Sequence, residues 1–411
     1  MNWEIKNAKI VSENRILDSN ISIDNDKISS ISTSHVAHNN PVLDAEGLFV
    51  YPGLINSHDH LLGSYSPAIL ESSPYLSWLS WDNALKSSII FSERQILEPE
   101  LLYQLGAYKN ILGGCTTVVD HIPHFVNQPF LTTLPIRILK DYTLSHSIGD
   151  YSLGWGDGPA LEYQLAEKKK IPFITHIGEG LDDDSASSFR LLEKWNALGE
   201  YTVLVHGIPF GTKEIAKIKQ AKANVVWCPR SNLNLFHKTS NIKQFLDAGV
   251  PISLGTDLAL TGTSNIFDEM KKASSYYSEQ YSEELPAQEI FKMVTLNPAR
   301  AFCIGDQLGS IEKGKKADFL ILPKKFDDPY QNLLSANSED IVLVVKDGLP
   351  IFADIKLEGL LSDLSVVAET IYFKNNPERS KLLIGSPKKL FKSIQSALGY
   401  KKDLAFLPIL E

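Results

Sequence analysis

The sequence predicts an α/β protein: a (β/α)8 TIM-like barrel with a small β-sandwich subdomain formed from both chain ends. Three observations carry this. From residue 159 onward, helical and strand patterns alternate at short intervals, as in parallel sheets with helical crossovers. His58, His60, His176, His206 and Asp257 fall at the C-terminal ends of predicted strands, the face on which barrels carry their working residues. Residues 1–50 and 307–354 hold only short strands, each set too small for a core of its own. The expected organisation is therefore 1–50 with 307–354 as the β-sandwich subdomain, 51–306 as the barrel, and 355–411 as a partly helical C-terminal extension.

Taken in order, residues 5–10, 21–23 and 28–31 are short apolar groups set apart by Asn, Asp and Ser, with Asn25-Asp26 as a hairpin turn. Pro52-Gly53 opens a turn, and Leu54 and Ile55 start a buried strand that ends in His58-Asp59-His60. Alternation along a strand points His58 and His60 the same way. Residues 63–92 carry Tyr65, Tyr75, Trp78 and Trp81 and read as a lid or, by the three-residue spacing of the tryptophans, as a buried helix face. A helix at 98–112 stops at Gly113-Gly114, and a β-branched strand follows at 116–121. Strands at 136–144 and 151–155 leave little room for helices, so the third and fourth strand-helix units are shortened. The clear alternation then gives helices at 159–169, 185–198, 212–221 and 242–248, and strands at 171–176, 202–206, 225–228 and 252–257. Helices at 264–278 and 286–294 precede short strands at Ile311, 319–322, 341–345 and 351–353, and the tail has a helix at 387–398.

The 411 residues are 43% hydrophobic and 22% charged, ordinary for a globular chain. A formal net charge of −9 argues against a nucleic-acid partner held through phosphates. Cys115, Cys228 and Cys303 are too few and too scattered for a disulfide framework. The first residues lack a signal pattern, and no apolar run is long enough to span a bilayer. The expectation is a cytoplasmic protein with a small-molecule partner, no nucleic acid and no membrane.

The histidines carry the chemistry. A lone His-x-His pair is ordinary in a surface loop, but His58 and His60 at a strand end suit a borderline-soft divalent metal. Three histidines with one aspartate make a mixed N/O ligand set for zinc or iron, with a position left open for water. Glu179 follows His176 by three residues, between Gly178 and Gly180, and so lies in a loop. A carboxylate there reaches over a metal and shuttles protons, or is simply solvated.

These pieces resemble the amidohydrolase superfamily, in particular its one-metal branch of heterocycle deaminases and chlorohydrolases. The matching motifs are Pro52-Gly53 with His58-Asp59-His60, Thr175-His176-Ile177-Gly178-Glu179, Val205-His206-Gly207, Trp227-Cys228-Pro229-Arg230-Ser231-Asn232, Leu254-Gly255-Thr256-Asp257 and Gly309 to Asp318. The resemblance covers residues 1 to about 354. It implies a hydrolase, foremost an aminohydrolase of a small nitrogen heterocycle. It implies one divalent metal per chain, zinc before iron, held by His58, His60, His176 and Asp257. Asp257 would also take a proton from the attacking water, Glu179 would protonate the ring nitrogen and then the leaving group, and His206 would orient the water. Trp81 and His121 stand as candidate substrate contacts; His121 and His124 equally suit bonds within the barrel. The two-metal branch uses a lysine on the fourth strand, for which Lys140 is the one lysine nearby. Opening of a cyclic amide, hydrolysis of a C–Cl bond and an inactive structural member are the alternatives, though the last should have lost ligands. A homo-oligomer is expected from the resemblance. Gly309 to Lys316 nearly spells a phosphate loop, but Lys316 stands where Ser or Thr is required. Cys228 and Asn232 read as structural.

Overall fold

In the computed structural model, residues 2–33, 40–64, 69–70, 72–404 and 407–410 are described. Tyr65 lies outside them. The first strands are β1 (Asn2–Val11), β2 (Ile16–Asp24), β3 (Lys27–Ser32), β4 (Val42–Asp44) and β5 (Leu48–Pro52). The eight barrel strands are β6 (Leu54–Asp59), β7 (Cys115–Asp120), β8 (Arg137–Ile138), β9 (Thr143–Ile148), β10 (Phe173–Ile177), β11 (Thr202–His206), β12 (Asn224–Trp227) and β13 (Ile252–Leu254). The last are β14 (Phe319–Pro323), β15 (Leu343–Lys346), β16 (Leu349–Asp354), β17 (Ala368–Phe373) and β18 (Asn376–Ile384).

The barrel strands pair in parallel as a three-stranded sheet, β6-β7-β8, and a five-stranded sheet, β9 to β13. Two seams separate them. At one, Asp257 N donates to His58 O at 2.9 Å, and Asn56 and Thr256 exchange hydrogen bonds. The other lies beside β8, which is two residues long. There, His121 Nε2 meets Ser145 O at 3.1 Å and His124 Nε2 meets Tyr142 O at 2.9 Å, tying the end of β7 to β9.

This is where the expected layout changes. The strand anticipated at 136–144 is broken after Ile138, because Leu139 N bonds Val118 O and Lys140 and Asp141 turn out to solvent. No helix separates β8 from β9. Residues 151–155 form a loop, not a strand. Asp150 N bonds the Asp184 side chain, Ser147 N bonds that of Ser152, and Gly156 and Gly158 follow with positive φ. Ile311 is likewise not in a strand: it sits in a turn between Gly309 and Gly314, with its side chain in the core.

The two chain ends share one ten-stranded ladder, in which β14 joins β5 to β15. Its strands alternate between two cores, as a period of two requires. Val50, Phe319, Ile321, Leu343, Val345, Ala353 and Leu382 enter a core with Trp3, Ile5 and Ile10 of β1. Phe49, Tyr51, Leu320, Leu322, Val344, Phe352 and Leu383 face the barrel core instead. The sheet folds back on itself: Trp3 Nε1 donates to Gly348 O at 2.9 Å. Because β18 pairs with β16, this ladder continues past residue 354 into the tail. Arg137 of β8 bridges the sheet to the barrel through Asp318 and Asp347 at 2.5 Å each.

Three helices follow β6: α1 (Trp78–Lys86), α2 (Ile89–Ile96) and α3 (Pro99–Leu112). The part of the expected lid from Trp78 onward is thus mostly helical. Trp81 packs inward with Tyr75, Leu85 and Phe236.

Candidate active site

The barrel strands bring His58, His60, His176, His206, Glu179 and Asp257 together. Three overlapping groups have ligand atoms within 4.8 Å of one another: His58 with His60 and Asp257, His58 with His176 and His206, and Glu179 with His206 and Asp257. His58 Nε2 lies 3.2 Å from His176 Nε2 and 3.4 Å from Asp257 Oδ1, and His60 Nε2 lies 3.6 Å from the same oxygen. Glu179 Oε2 is 3.5 Å from His206 Nε2.

Local backbone aims these groups. His60 and Asp257 lie just beyond their strands, and His206 closes β11 with φ 79°. Asp257 has φ 55°. A Cβ on Gly255 would come within 2.6 Å of His58 Cβ, so glycine lets this loop lie against β6 and deliver Asp257. Gly178, at φ 57°, turns the chain after β10 to bring Glu179 back over the site.

Hydrogen bonds behind His176 and His206 fix their tautomers, whereas His58 Nδ1 is buried with no partner among the described residues. His176 Nδ1 donates to His146 O at 2.6 Å, leaving its Nε2 as a bare acceptor. His206 Nδ1 donates to Asn232 Oδ1 at 2.8 Å, and the Asn232 amide nitrogen is committed to Thr239. His206 Nε2 is buried with no hydrogen-bond partner. Ser231 Oγ donates to Asp257 Oδ2 at 2.7 Å, leaving Oδ1 toward the histidines. Converging imidazole lone pairs and one carboxylate oxygen fit a divalent metal, and such second contacts are what hold metal ligands in place.

Beneath them, Asp59 points away from His58 and His60. It accepts from Lys109 Nζ, Asn110 Nδ2 and its neighbour His60 N, each at 2.8 Å. Lys109 and Asp59 are both buried.

Electrostatics suit ligands and a proton donor. Burial, then the neighbouring His58, brings His60 down to about 3, and burial lowers His206 to about 4. His176 is held well below the usual range by burial and by His121. These rings are neutral at pH 7, as metal ligands must be. Burial pushes Asp257 up, but His58 and the other rings outweigh it and hold the carboxyl well below its ordinary range. Burial, with Asp257 nearby, pushes Glu179 well above its own. Two carboxyls with opposed shifts are the arrangement of an acid and a base.

A cleft of about 200 Å³ opens from this cluster. Trp78, Trp81, His146, Trp155 and Arg94 line it. Trp81 is thus a wall residue, its Nε1 spent on Ile69 O at 3.1 Å. His121 is packed among the site rings, 4.4 Å from His176, and bonds Ser145 O; it does not line the cleft. His124 stacks on Tyr142, outside the site. Lys140 is 71% exposed beside Asp141 and does not reach the histidines.

Sequence reasoning missed His146, Trp155, Ser231 and Arg94. His146 lies on β9, which the sequence reading ended at residue 144; its ring stands 4.5 Å from Trp78 and 4.7 Å from Trp155. Alternation from Leu144 through His146 to Ile148 could have found it. Asn232, read as structural, orients His206.

A sequence model of the amidohydrolase family matches residues 161–351. The 5′-deoxyadenosine deaminase of Methanothermobacter thermautotrophicus is 26% identical, over 87% of this chain and 94% of its own length. The 5-methylthioadenosine/S-adenosylhomocysteine deaminase of Pyrococcus furiosus is 25% identical, over 83% and 90%. Among solved structures, atrazine chlorohydrolase from Arthrobacter aurescens complexed with zinc shares the fold with a TM-score of 0.73, at 20% identity over 96% of this chain and 100% of that one. An adenosine deaminase from Xanthomonas campestris with bound zinc does so at 0.70, with 20% identity over 85% and 92%. The family model thus covers a little under half of the chain, and the chain as a whole is similar in sequence to deaminases and in fold to a zinc-bound chlorohydrolase and a zinc-bound deaminase.

Proposed function

We propose that this protein is a metal-dependent aminohydrolase that removes an amino group from a small nitrogen heterocycle. The observation that carries the reading is the convergence of His58, His60, His176 and Asp257 beneath Glu179 and His206. The first four would hold one divalent metal, with zinc the natural ion for an N/O set of this kind. When bound, the metal supplies a Lewis acid that makes water a nucleophile near neutral pH.

The chain's own groups do the rest. The flat substrate enters the aromatic cleft with its amino-bearing carbon toward the histidines. His206, held by Asn232, keeps its free Nε2 on the attacking water. Asp257, ionised and held by Ser231, takes the proton that water gives up. Glu179, protonated by burial, gives its proton to the ring nitrogen; the leaving amine takes the proton that Asp257 received, and Glu179 regains one from the new hydroxyl as it becomes the ring carbonyl. The products are ammonia and the ring carbonyl.

The relatives named as deaminases support this choice over cyclic amide opening. The chlorohydrolase fold match keeps C–Cl hydrolysis as the second reading. No described helix is long and apolar enough to cross a membrane. We read the protein as cytoplasmic, supported by three free cysteines, and as a homo-oligomer. Screening purines, pyrimidines, triazines and their nucleosides for released ammonia tests the proposal. Chloride release from chlorinated triazines alone would move the protein to the second reading.

A further inference from the structure

One charge on the cleft wall has no part in that chemistry. Arg94 sits on α2, half-buried, and lines the cleft with Trp78, Trp81, Asp82 and Leu85. Among the described residues its guanidinium has no hydrogen bond and no ion pair; its only close aromatic neighbour is Phe91, 5.4 Å to the ring centre. Asp82 faces the same cleft, but its carboxylate is engaged by Lys86 at 2.5 Å. Glu93, next in sequence, is taken by Tyr400 and Lys402 of the C-terminal tail.

Three other shielded cations are paired, while Arg230, away from the cleft lining, also lacks an ion pair among the described residues. Lys109 has Asp59, Arg137 has Asp318 and Asp347, and Lys381 has Asp354. A guanidinium partly removed from water loses solvation, and proteins repay that with an acidic partner. Arg94 has no hydrogen bond or ion pair among the described residues; the one carboxylate that acts on it, Asp82, stands off and is already bonded to Lys86. Arg94 is also the only Lys or Arg among the cleft's described lining residues. A guanidinium stays charged and matches carboxylate or phosphate with two parallel bonds.

We propose that Arg94 is a specificity residue that pairs with an oxyanion group, carboxylate or phosphate, carried on the substituent of the heterocyclic substrate. This rests on the aminohydrolase reading for the ring, and its test is one of binding.

Full-length, metal-loaded protein carrying Glu179→Gln, which should bind without turnover, is titrated by calorimetry with three adenine nucleosides. These are 5′-methylthioadenosine, which has no acid; S-adenosylhomocysteine, with a carboxylate; and adenosine 5′-monophosphate, with a phosphate. The expected result is that one acid-bearing compound binds at least about tenfold tighter than the neutral one, the scale of a charge-assisted hydrogen bond. Which compound wins identifies the group. Adding Arg94→Met should remove that preference while changing the neutral ligand by less than about threefold, and Arg94→Lys should restore part of it. No acid preference in the parent, or equal weakening of all three ligands by Arg94→Met, overturns the proposal. Ammonia release by the protein with Glu179 intact is measured alongside. Arg94-dependent binding without ammonia retires the aminohydrolase reading and keeps Arg94; ammonia release with no effect of Arg94 does the reverse.

Discussion

Lys109→Met should damage the site from below without touching a proposed ligand. Lys109 is 1% exposed and Asp59 is fully buried, with 2.8 Å between charged atoms. Asp59 keeps three other donors after the change: Asn110 Nδ2, His60 N and, at 3.4 Å, Asn56 Nδ2. What it loses is its counter-charge, and an unpaired buried carboxylate costs about 3–5 kcal/mol. Three of four hydrogen bonds remain, so the lower half of that range is expected. Asp59→Asn in the same chain removes the orphaned charge, and the double variant should recover about half or more of the loss. Urea unfolding of the metal-free proteins measures this, with the parent slope as the check that the unfolded states are comparable. His60 N donates to Asp59, so the single variant should also hold metal more weakly. If Lys109→Met unfolds within about 1 kcal/mol of the parent, the pair does not hold the barrel floor. If the double variant is less stable than the single, charge pairing is not the cause.

Four further outcomes follow from the same geometry. Glu179→Gln should keep its metal and lose roughly 10²–10⁴-fold in turnover, since amide and carboxyl share a shape but only the carboxyl exchanges a proton; loss of metal by this variant would make Glu179 a ligand. His176→Ala should lose metal and activity together, whereas His206→Asn should keep metal and lose rate, both read by elemental analysis with kinetics. The metal-free protein should lose stability as pH falls below about 6.5. His60, His146 and His206 are lowered to about 3, 4 and 4, so the unfolded chain binds their protons first, worth on the order of 1.4 kcal/mol per pH unit for each ring. Glu179, Asp120 and Glu269, all raised by burial, the last two to about 6 and 7, work in the opposite sense, so the unfolding midpoint from pH 7 to 5 reports the excess of the histidines over these acids. Finally, a fragment of residues 51–306 should be less stable in urea than the whole chain, because it lacks the partners of Arg137 and one wall of the barrel core; equal stability would make the paired chain ends dispensable.

The site residues were legible where chemistry and period coincide. His206 ends a strand whose residues before it are apolar but for Thr202, and His58 and His176 follow buried strand starts at Leu54-Ile55 and Phe173-Ile174, so an ionisable group there stands out. Helices 212–221 and 387–398 were read to the residue because capping and stop signals bracket them. The shortened region around β8 was visible only as a lack of room. The histidines that bridge its seam bond backbone oxygens of β9, a long-range arrangement that no local pattern encodes. His146 was missed for a local reason: its strand starts at Thr143, seven residues later than the apolar run suggests, although the alternation within it is visible. Arg94 carries no sequence signal: an arginine on an amphipathic helix reads as solvated until the cleft is seen beside it.

The central claim is that the His58, His60, His176 and Asp257 cluster holds a metal on which C–N hydrolysis depends. Elemental analysis of gently purified protein, paired with ammonia release before chelation, after it and after adding zinc back, tests this most directly. The account predicts about one transition metal per chain, activity lost on chelation and activity regained with zinc. Protein that contains no metal, takes up neither zinc nor iron, or releases ammonia equally well after complete chelation would contradict it.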